Sequence, residues 1–415
     1  MRVEKDIKRN LYLEKMLRTL NSDFVKILSG VRRCGKSSML SVLKNHLLEN
    51  GTSAEEIIEI NFEKEEFNAL RSGDALSRYV KEHILPQKHC YLLIDEVQEV
   101  DEWARKVNSF RTSYDCDIFV TGSNSRLFSG EHLTYLSGRY VEIKMMPLSF
   151  SEFLDFKRYD RSEVKKSPEN FLNEYIQGGS FPAPALVDDI YLHDTIISGL
   201  FDSIFARDII LRGKIRNDGA FMKVAKFVFE NIGSPVSANS IAHTLKSQGH
   251  SVSVDAVDNY LTLMCNAFIL YQCERYNLRG KERLRTNGKY YCVDSSLRSK
   301  LLGKTNSNFG HLLENLVYLE LIRRGFDVTT GVFGSGGDGM EIDFVAVNAS
   351  ASHSQTMYVQ VCQSALDESV LERELKPFYA VKDNFPKLLL TLDRIDFSRD
   401  GIVHKNIADW LLEEG

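Results

Sequence analysis

This 415-residue chain has no apolar run approaching the roughly 18 to 20 residues that a membrane-spanning helix needs; scraps such as Leu388-Leu389-Leu390 are the longest candidates. Its seven cysteines, at 34, 90, 116, 265, 273, 292 and 362, are odd in number, scattered and without a C-x-x-C pair. That excludes a disulfide scaffold or zinc knuckle and leaves reduced thiols as the expectation. Proline is sparse, at 8 residues, and glycine unexceptional at 26, so no fibrous or low-complexity tract is present. Charge of one sign is also lacking: the net value of −5 gives no global attraction to nucleic acid or anionic lipid. The stretch Met1–Lys8 alternates charge without an apolar centre, so no secretory signal and a cytoplasmic location are expected. What the chain does have is 43% hydrophobic and 26% charged residues over a length that predicts several globular domains.

From 24 to 144, short apolar runs alternate with amphipathic stretches: Phe24–Leu28, Ile57–Phe62, Tyr91–Ile94, Ile118–Thr121 and Tyr140–Ile143. This alternation predicts a parallel α/β sheet with helices on both faces, over residues 1–146. After the first run, Met39, Leu40, Leu43 and Leu47 recur at helical spacing and predict a helix from Ser38 to Leu48 that packs on the sheet. Residues 147–218 read as a helical lid or connector, broken at Gly178-Gly179-Ser180-Phe181-Pro182. Residues 219–306 give helices at Ala238–Lys246 and Val254–Asn266, then strands at Phe268–Cys273 and Gly288–Val293, the order of a winged helix. Residues 307–415 open with a helix, Leu312–Arg324. Strands follow at Asp327–Thr330, Glu341–Val347, Met357–Val361 and Lys387–Thr391, as in a separate small α/β domain.

Gly30-Val31-Arg32-Arg33-Cys34-Gly35-Lys36-Ser37 fits G-x-x-x-x-G-K-[ST], follows a predicted strand and opens a predicted helix. The two glycines let the backbone of Arg33, Cys34, Gly35 and Ser38 turn its N–H groups toward a polyphosphate. Lys36 adds a cation, and Ser37 a hydroxyl for Mg²⁺. The apolar strand Tyr91–Ile94 ends in Asp95-Glu96, which places Asp95 to hold the metal and Glu96 to polarise water. Strand Ile118–Thr121 ends in Gly122-Ser123-Asn124, where Asn124, or else Ser123, can orient that water. Cys34 lies inside the loop, so its oxidation is expected to block nucleotide.

These segments resemble the AAA-type branch of P-loop ATPases, in which a strand with a polar sensor lies between the strands carrying the loop and the two acids. Leu136-Ser137-Gly138-Arg139-Tyr140, Pro147-Leu148-Ser149-Phe150-Ser151-Glu152-Phe153, the Gly178–Pro182 break and Phe205-Ala206-Arg207-Asp208-Ile209 extend the resemblance to a prokaryotic family. That family joins an AAA-type ATPase to a carboxyl-terminal domain of unknown function. The resemblance implies ATP rather than GTP, with Mg²⁺, and an arginine that completes a neighbouring subunit's site. Arg139 is at the matching position, with Arg126 and Arg207 as competitors, and a homo-oligomer would follow.

Toward the carboxyl end, Arg275, Arg279, Lys281, Arg283, Arg285 and Lys289 cluster around Tyr276 and Tyr290, a basic hairpin (275–289) that could meet DNA. The helix Val254–Asn266 beside it carries Asp255 and Asp258 and no Arg or Lys. Glu341-Ile342-Asp343-Phe344-Val345 and Tyr358-Val359-Gln360-Val361-Cys362, with Glu314 upstream, resemble the restriction-endonuclease-like fold and its D…(D/E)-x-K site. Gln360 replaces the second acid and Cys362 the lysine, while Lys376 and Lys382 lie off the strand. The fold is expected to be kept and cleavage lost. Three readings follow: a Mg²⁺-dependent ATPase that couples nucleotide state to conformation or partner binding, a DNA-acting nuclease or defence protein, and a nucleotide-gated regulator of a protein partner with negligible turnover.

Overall fold

The computed structural model describes residues 9–124, 131–160, 168–303, 309–334, 340–348 and 355–413. Residues up to Pro147, with Asn266–Phe268, group as one compact unit; Leu148–Cys265 and Ile269–Gly415 form a second.

In the first unit, α1 (Asn10–Leu17) precedes β1 (Val25–Ser29), α2 (Lys36–Glu49), β2 (Ile57–Asn61), α3 (Gly73–His83) and β3 (Cys90–Asp95). Then come α4 (Trp103–Ser113), β4 (Cys116–Gly122), α5 (Glu131–Leu136) and β5 (Tyr140–Lys144). The five strands are all parallel, in the order β2-β3-β4-β1-β5. Parallel neighbours require crossovers, and the helices supply them. Every residue of β1 is buried, as a strand covered on both faces should be. Leu76 and Val80 of α3 join Trp103, Val107 and Phe110 of α4 in a core with Ile27, Leu92, Ile94 and Val120 of the sheet. Met39, Leu40, Leu43 and Leu47, the helical stripe legible in the sequence, are all buried on α2. Because β4 lies between β1 and β3 and the chain skips over β1 to reach β5, the carboxyl ends of β1, β3 and β4 meet where the strand order reverses. That edge is where open α/β sheets bind ligands.

The second unit begins with α6 (Phe150–Asp160), α7 (Pro168–Gly178), α8 (Pro182–Ala185) and α9 (Ile190–Asp202). A π-helix over Ser203–Leu211 follows, then α10 (Asp218–Glu230), α11 (Ala238–Ser247) and α12 (Val254–Asn266). Strands β6 (Leu270–Asn277) and β7 (Glu282–Cys292) lead to α13 (Ser295–Leu302), α14 (Phe309–Arg323), β8 (Asp327–Val332), β9 (Glu341–Asn348) and β10 (Gln355–Val361). The unit ends with α15 (Glu368–Ala380), β11 (Lys387–Thr391), β12 (Ile402–Asn406) and α16 (Ile407–Leu412). One mixed sheet runs through it in the order β12-β11-β10-β9-β8-β6-β7. The hairpin β6–β7 is therefore joined to the last strands rather than set apart: Arg275–Asn277 pair in parallel with Thr330–Val332. The boundary expected at 306/307 from the order of helices and strands divides one hydrogen-bonded sheet, because strand pairing is not visible in local sequence. Leu371, Leu375 and Phe378 of α15 close one core against Ile342, Val345, Tyr358 and Leu389.

The Gly178–Pro182 break has a physical cause. Asp294 accepts hydrogen bonds from Ser180 N (2.5 Å) and Ser180 Oγ (2.7 Å), and its other oxygen accepts from Ser296 N (2.8 Å). Gly179 stands at φ +86°, and a Cβ there would lie 2.5 Å from Asp294 Oδ1 and 2.7 Å from Ser296, so only glycine fits. Among the described residues, no helix is long and apolar enough to cross a membrane.

Candidate functional site: the phosphate loop and its neighbours

β1 delivers the chain into the loop at Gly30, whose φ of +147° and whose approach to Met145 O, 2.1 Å from where a Cβ would stand, admit only glycine. Arg33 (φ 65°) and Gly35 (φ 105°) complete the left-handed bends that a loop curling around an anion requires. Gly35 is the N-cap of α2, so the following helix opens on the loop with its positive end. Lys36 is buried and donates through Nζ to Gly30 O (2.9 Å) and Val31 O (3.1 Å), closing the loop on itself. Arg33, Ser37 and Ser38 are exposed at this mouth. Cys34, expected as an oxidation-sensitive position, is instead fully buried with its Sγ donating to Met145 O at 3.7 Å. An oxidant cannot reach it without opening the loop.

Across the edge, Asp95 ends β3 and is 3% exposed. It accepts from Thr121 Oγ1 (2.5 Å) and from Asn61 Nδ2 (3.0 Å). Burial pushes its carboxyl above the ordinary aspartate value, against hydrogen bonds from Thr121 and Ser37 that pull it down; the nearby charges of Glu96 and Glu63 add to the rise. The pull of Ser37 on that carboxyl sets close together the two oxygen donors that a hard divalent cation would take. Glu96 is also buried, in left-handed backbone (φ 55°), with its N–H donating to Thr121 Oγ1 at 2.9 Å and its carboxylate accepting from Gln98 Nε2. One threonine hydroxyl thus fixes the Asp95 carboxyl and the Glu96 backbone. Ser123 and Asn124 lie buried just beyond β4, at the same edge as the loop.

Thr121 and Asn61 escape sequence reasoning because their signal is register. Ile94 pairs with Val120 and Asn61 with Asp95, which sets both side chains beside the acid. Arg9 escapes it too: its guanidinium is buried and donates to the loop carbonyl of Cys34 at 2.8 Å.

Comparison with known proteins gives the family. An AAA-domain profile matches residues 22–154, and a profile described only as a domain of unknown function matches 169–308. A protein of Haemophilus influenzae called uncharacterized is 38% identical over 98% of this chain and 99% of its own. The chain belongs to this AAA-domain family. A second uncharacterized relative, from Methanocaldococcus jannaschii, is 31% identical over 92% of this chain and 86% of its own. Among solved structures, a Walker-type ATPase of Pyrococcus abyssi matches 71% of this chain and 95% of its own, with a TM-score of 0.46 and 14% identity.

Within the AAA-domain unit, Arg139 is exposed just before β5, its carbonyl accepting from Val25 N at the start of β1. That is the amino edge of the sheet, a full strand length from the loop, so Arg139 does not join Lys36 and Asp95 in its own chain. Arg126 falls outside the described residues, and Arg207 is exposed on the π-helix.

The residues expected to form a nuclease-like site lie in a closed cluster in this AAA-domain protein. Lys289, expected in the basic hairpin, is buried with Nζ 2.9 Å from Glu314 and 2.5 Å from Glu341, beside Asp343. Tyr291 OH donates to the same Glu314 oxygen at 2.5 Å. Burial works against the Lys289 charge, but Glu314, Asp343 and Glu341 outweigh it and hold the ammonium above its ordinary value. Asp343 is raised by burial and by Glu314, with Lys289 opposing. Gln360 spends its amide on Asp343 N (3.1 Å) and Glu374 (3.0 Å), and burial pushes the Cys362 thiol up to about 12. Among the described residues, no group of three or more His, Cys, Asp or Glu could hold a metal ion. In the hairpin itself, Arg283 pairs with Asp327 and Glu274, while Arg279 and Lys281 are exposed at the turn.

Proposed function

We propose that this AAA-domain protein binds ATP with Mg²⁺ and hydrolyses it, nucleotide state driving a change in conformation or in partner binding. The observation that carries the reading is the meeting at the strand ends of Thr121, which donates to the Asp95 carboxyl and accepts from the Glu96 backbone N–H, beside the loop that carries Lys36 and Ser37. In this reading the loop N–H groups and Lys36 take the phosphates, and Ser37 and Asp95 hold the cation. Bound Mg²⁺ would neutralise charge on the phosphate oxygens and on the leaving diphosphate. Glu96 accepts a proton from the attacking water, and Asn124 orients that water. Arg139, on the far edge, acts only on another copy's site, so the reading includes a homo-oligomer.

Steady-state hydrolysis by wild type and Glu96→Gln, with and without Mg²⁺ and DNA, tests this. Mg²⁺-dependent turnover lost in the variant supports it, and wild-type turnover that survives the substitution refutes it. One observation favours the nucleotide-gated regulator as a second reading: Gln98 holds the Glu96 carboxylate, which would restrain the base. Nucleotide binding with equal, negligible turnover in both forms would favour that regulator. For the second unit we propose a winged-helix-like segment fused to a nuclease-like sheet that does not cut, since Lys289 fills its acidic cluster. The exposed Arg279 and Lys281 are what support a DNA partner.

A further inference from the structure

Arg9 precedes α1 and is 3% exposed, an expensive place for a guanidinium unless its donors are used. They are used on two separate pieces of chain. Nη1 donates to Cys34 O at 2.8 Å; Nη2 donates to Met146 O at 3.0 Å and Pro147 O at 3.2 Å. The Tyr12 ring covers its face, with the guanidinium carbon 4.5 Å from the ring centre. Planar, forked donors suit this double engagement, and an ammonium would not reproduce it.

The first piece is the phosphate loop. No peptide bond of the described chain is cis, so the carbonyl of Cys34 and the N–H of Gly35, which share one peptide plane, point in opposite directions. Fixing Cys34 O toward Arg9 therefore fixes Gly35 N–H away from it, toward the mouth of the loop where phosphate would bind. Preorganised N–H donors act on an anion without the cost of reorienting.

The second piece is the chain leaving β5. Met145 N donates to Ser29 O at 2.7 Å, Met145 O accepts from Cys34 Sγ, and Met146 N donates to Tyr12 OH at 3.1 Å. Arg9 takes the next two carbonyls, and the second compact unit begins at Leu148. The phosphate loop and the joint into the second unit thus share one guanidinium.

We infer that Arg9 is a positioning residue that aims the Gly35 N–H at bound phosphate and, through the same side chain, ties the loop to the joint at Pro147–Leu148. This rests on the ATP-binding reading. A change in the Cys34–Gly35 peptide on nucleotide binding is transmitted to the joint because one rigid planar guanidinium holds both carbonyl sets, Nη1 on Cys34 and Nη2 on Met146 and Pro147.

The test uses the full chain as wild type, Arg9→Ala, Arg9→Lys and Tyr12→Phe. A fluorescent ATP analogue titration gives affinity, thermal melting gives stability, and hydrogen exchange of residues 144–150 with and without a non-hydrolysable ATP analogue gives coupling. In wild type, nucleotide is expected to slow exchange at the joint about fivefold or more. Arg9→Ala should lose affinity about tenfold and, at saturating analogue, lose the exchange response. Arg9→Lys should recover melting temperature but not the response, which a purely structural role would restore. Tyr12→Phe should weaken the response at unchanged affinity. A saturated Arg9→Ala or Arg9→Lys variant with the wild-type response overturns the inference alone. Wild type that fails to bind the analogue overturns the ATP-binding reading, and this one with it.

Discussion

Replacing Lys289 with methionine should destabilise the second unit in a pH-dependent way. The ammonium lies between Glu314 and Glu341 and beside Asp343, and all four groups are cut off from bulk water to differing degrees. Methionine keeps most of the side-chain volume, so the loss is mainly the uncompensated acidic cluster. Removing one partner from a buried ion pair costs about 3–5 kcal/mol, and the methylene packing that is retained argues for the lower end. A unit this large moves its transition by roughly 2–4 °C per kcal/mol, so a fall of about 6–12 °C is expected at neutral pH. A carboxyl whose folded value stands above its unfolded one contributes stability below the unfolded value, near pH 4, and loses it as pH rises through the folded value. Asp343 is such a group, and Lys289 is the charge that limits its rise. Removing Lys289 enlarges the shift, so the deficit should be smaller at about pH 5 than at about pH 8. Thermal melting at both pH values, with the double variant Lys289→Met/Glu314→Gln expected to recover part of the loss, measures this. A single variant within about 2 °C of wild type, or a deficit that grows on acidification, would refute the reasoning.

Thr121→Val should lower the hydrolysis rate about 10- to 100-fold with nucleotide affinity little changed, because it frees Asp95 and Glu96 from their shared hydroxyl; single-turnover rates beside a binding titration check it. Gly179→Ala should destabilise the second unit by about 1–3 kcal/mol from positive φ alone, with more from the approach to Asp294, as read by denaturant melting. Cys34 should resist a thiol reagent in the folded protein and react on unfolding, which mass spectrometry of labelled peptides would show; ready labelling of Cys34 in the native state contradicts its burial.

Local sequence carried the first unit well because its features are contiguous. The loop Gly30–Ser37 with its strand and helix, the apolar run into Asp95-Glu96, and the polar end of β4 each lie within a few residues. Strand limits moved by one or two residues, as from Tyr91–Ile94 to Cys90–Asp95. What stayed hidden depends on partners far along the chain. Thr121 and Asn61 meet Asp95 only through sheet register, and Arg9 reaches Cys34 and Met146 from outside any motif. Lys289 looked like one more cation in a basic run; two-residue periodicity sets it on the same strand face as Tyr291, and the fold turns both to Glu314. The break at Gly178–Pro182 was legible as a break, but its anchor, Asp294, lies more than a hundred residues away.

The seven-stranded sheet also sets where this chain can be cut. Because β6 and β8 are hydrogen-bonded neighbours, a fragment that ends near residue 306 would strip β6 of one of its two partners, and one that begins there would expose β8 as a bare edge. Unpaired strand edges recruit other chains. Chimeras and truncations should carry β6 through β12 as one piece, and an exchange of carboxyl-terminal halves between relatives would have to move the hairpin along with the strands that follow it.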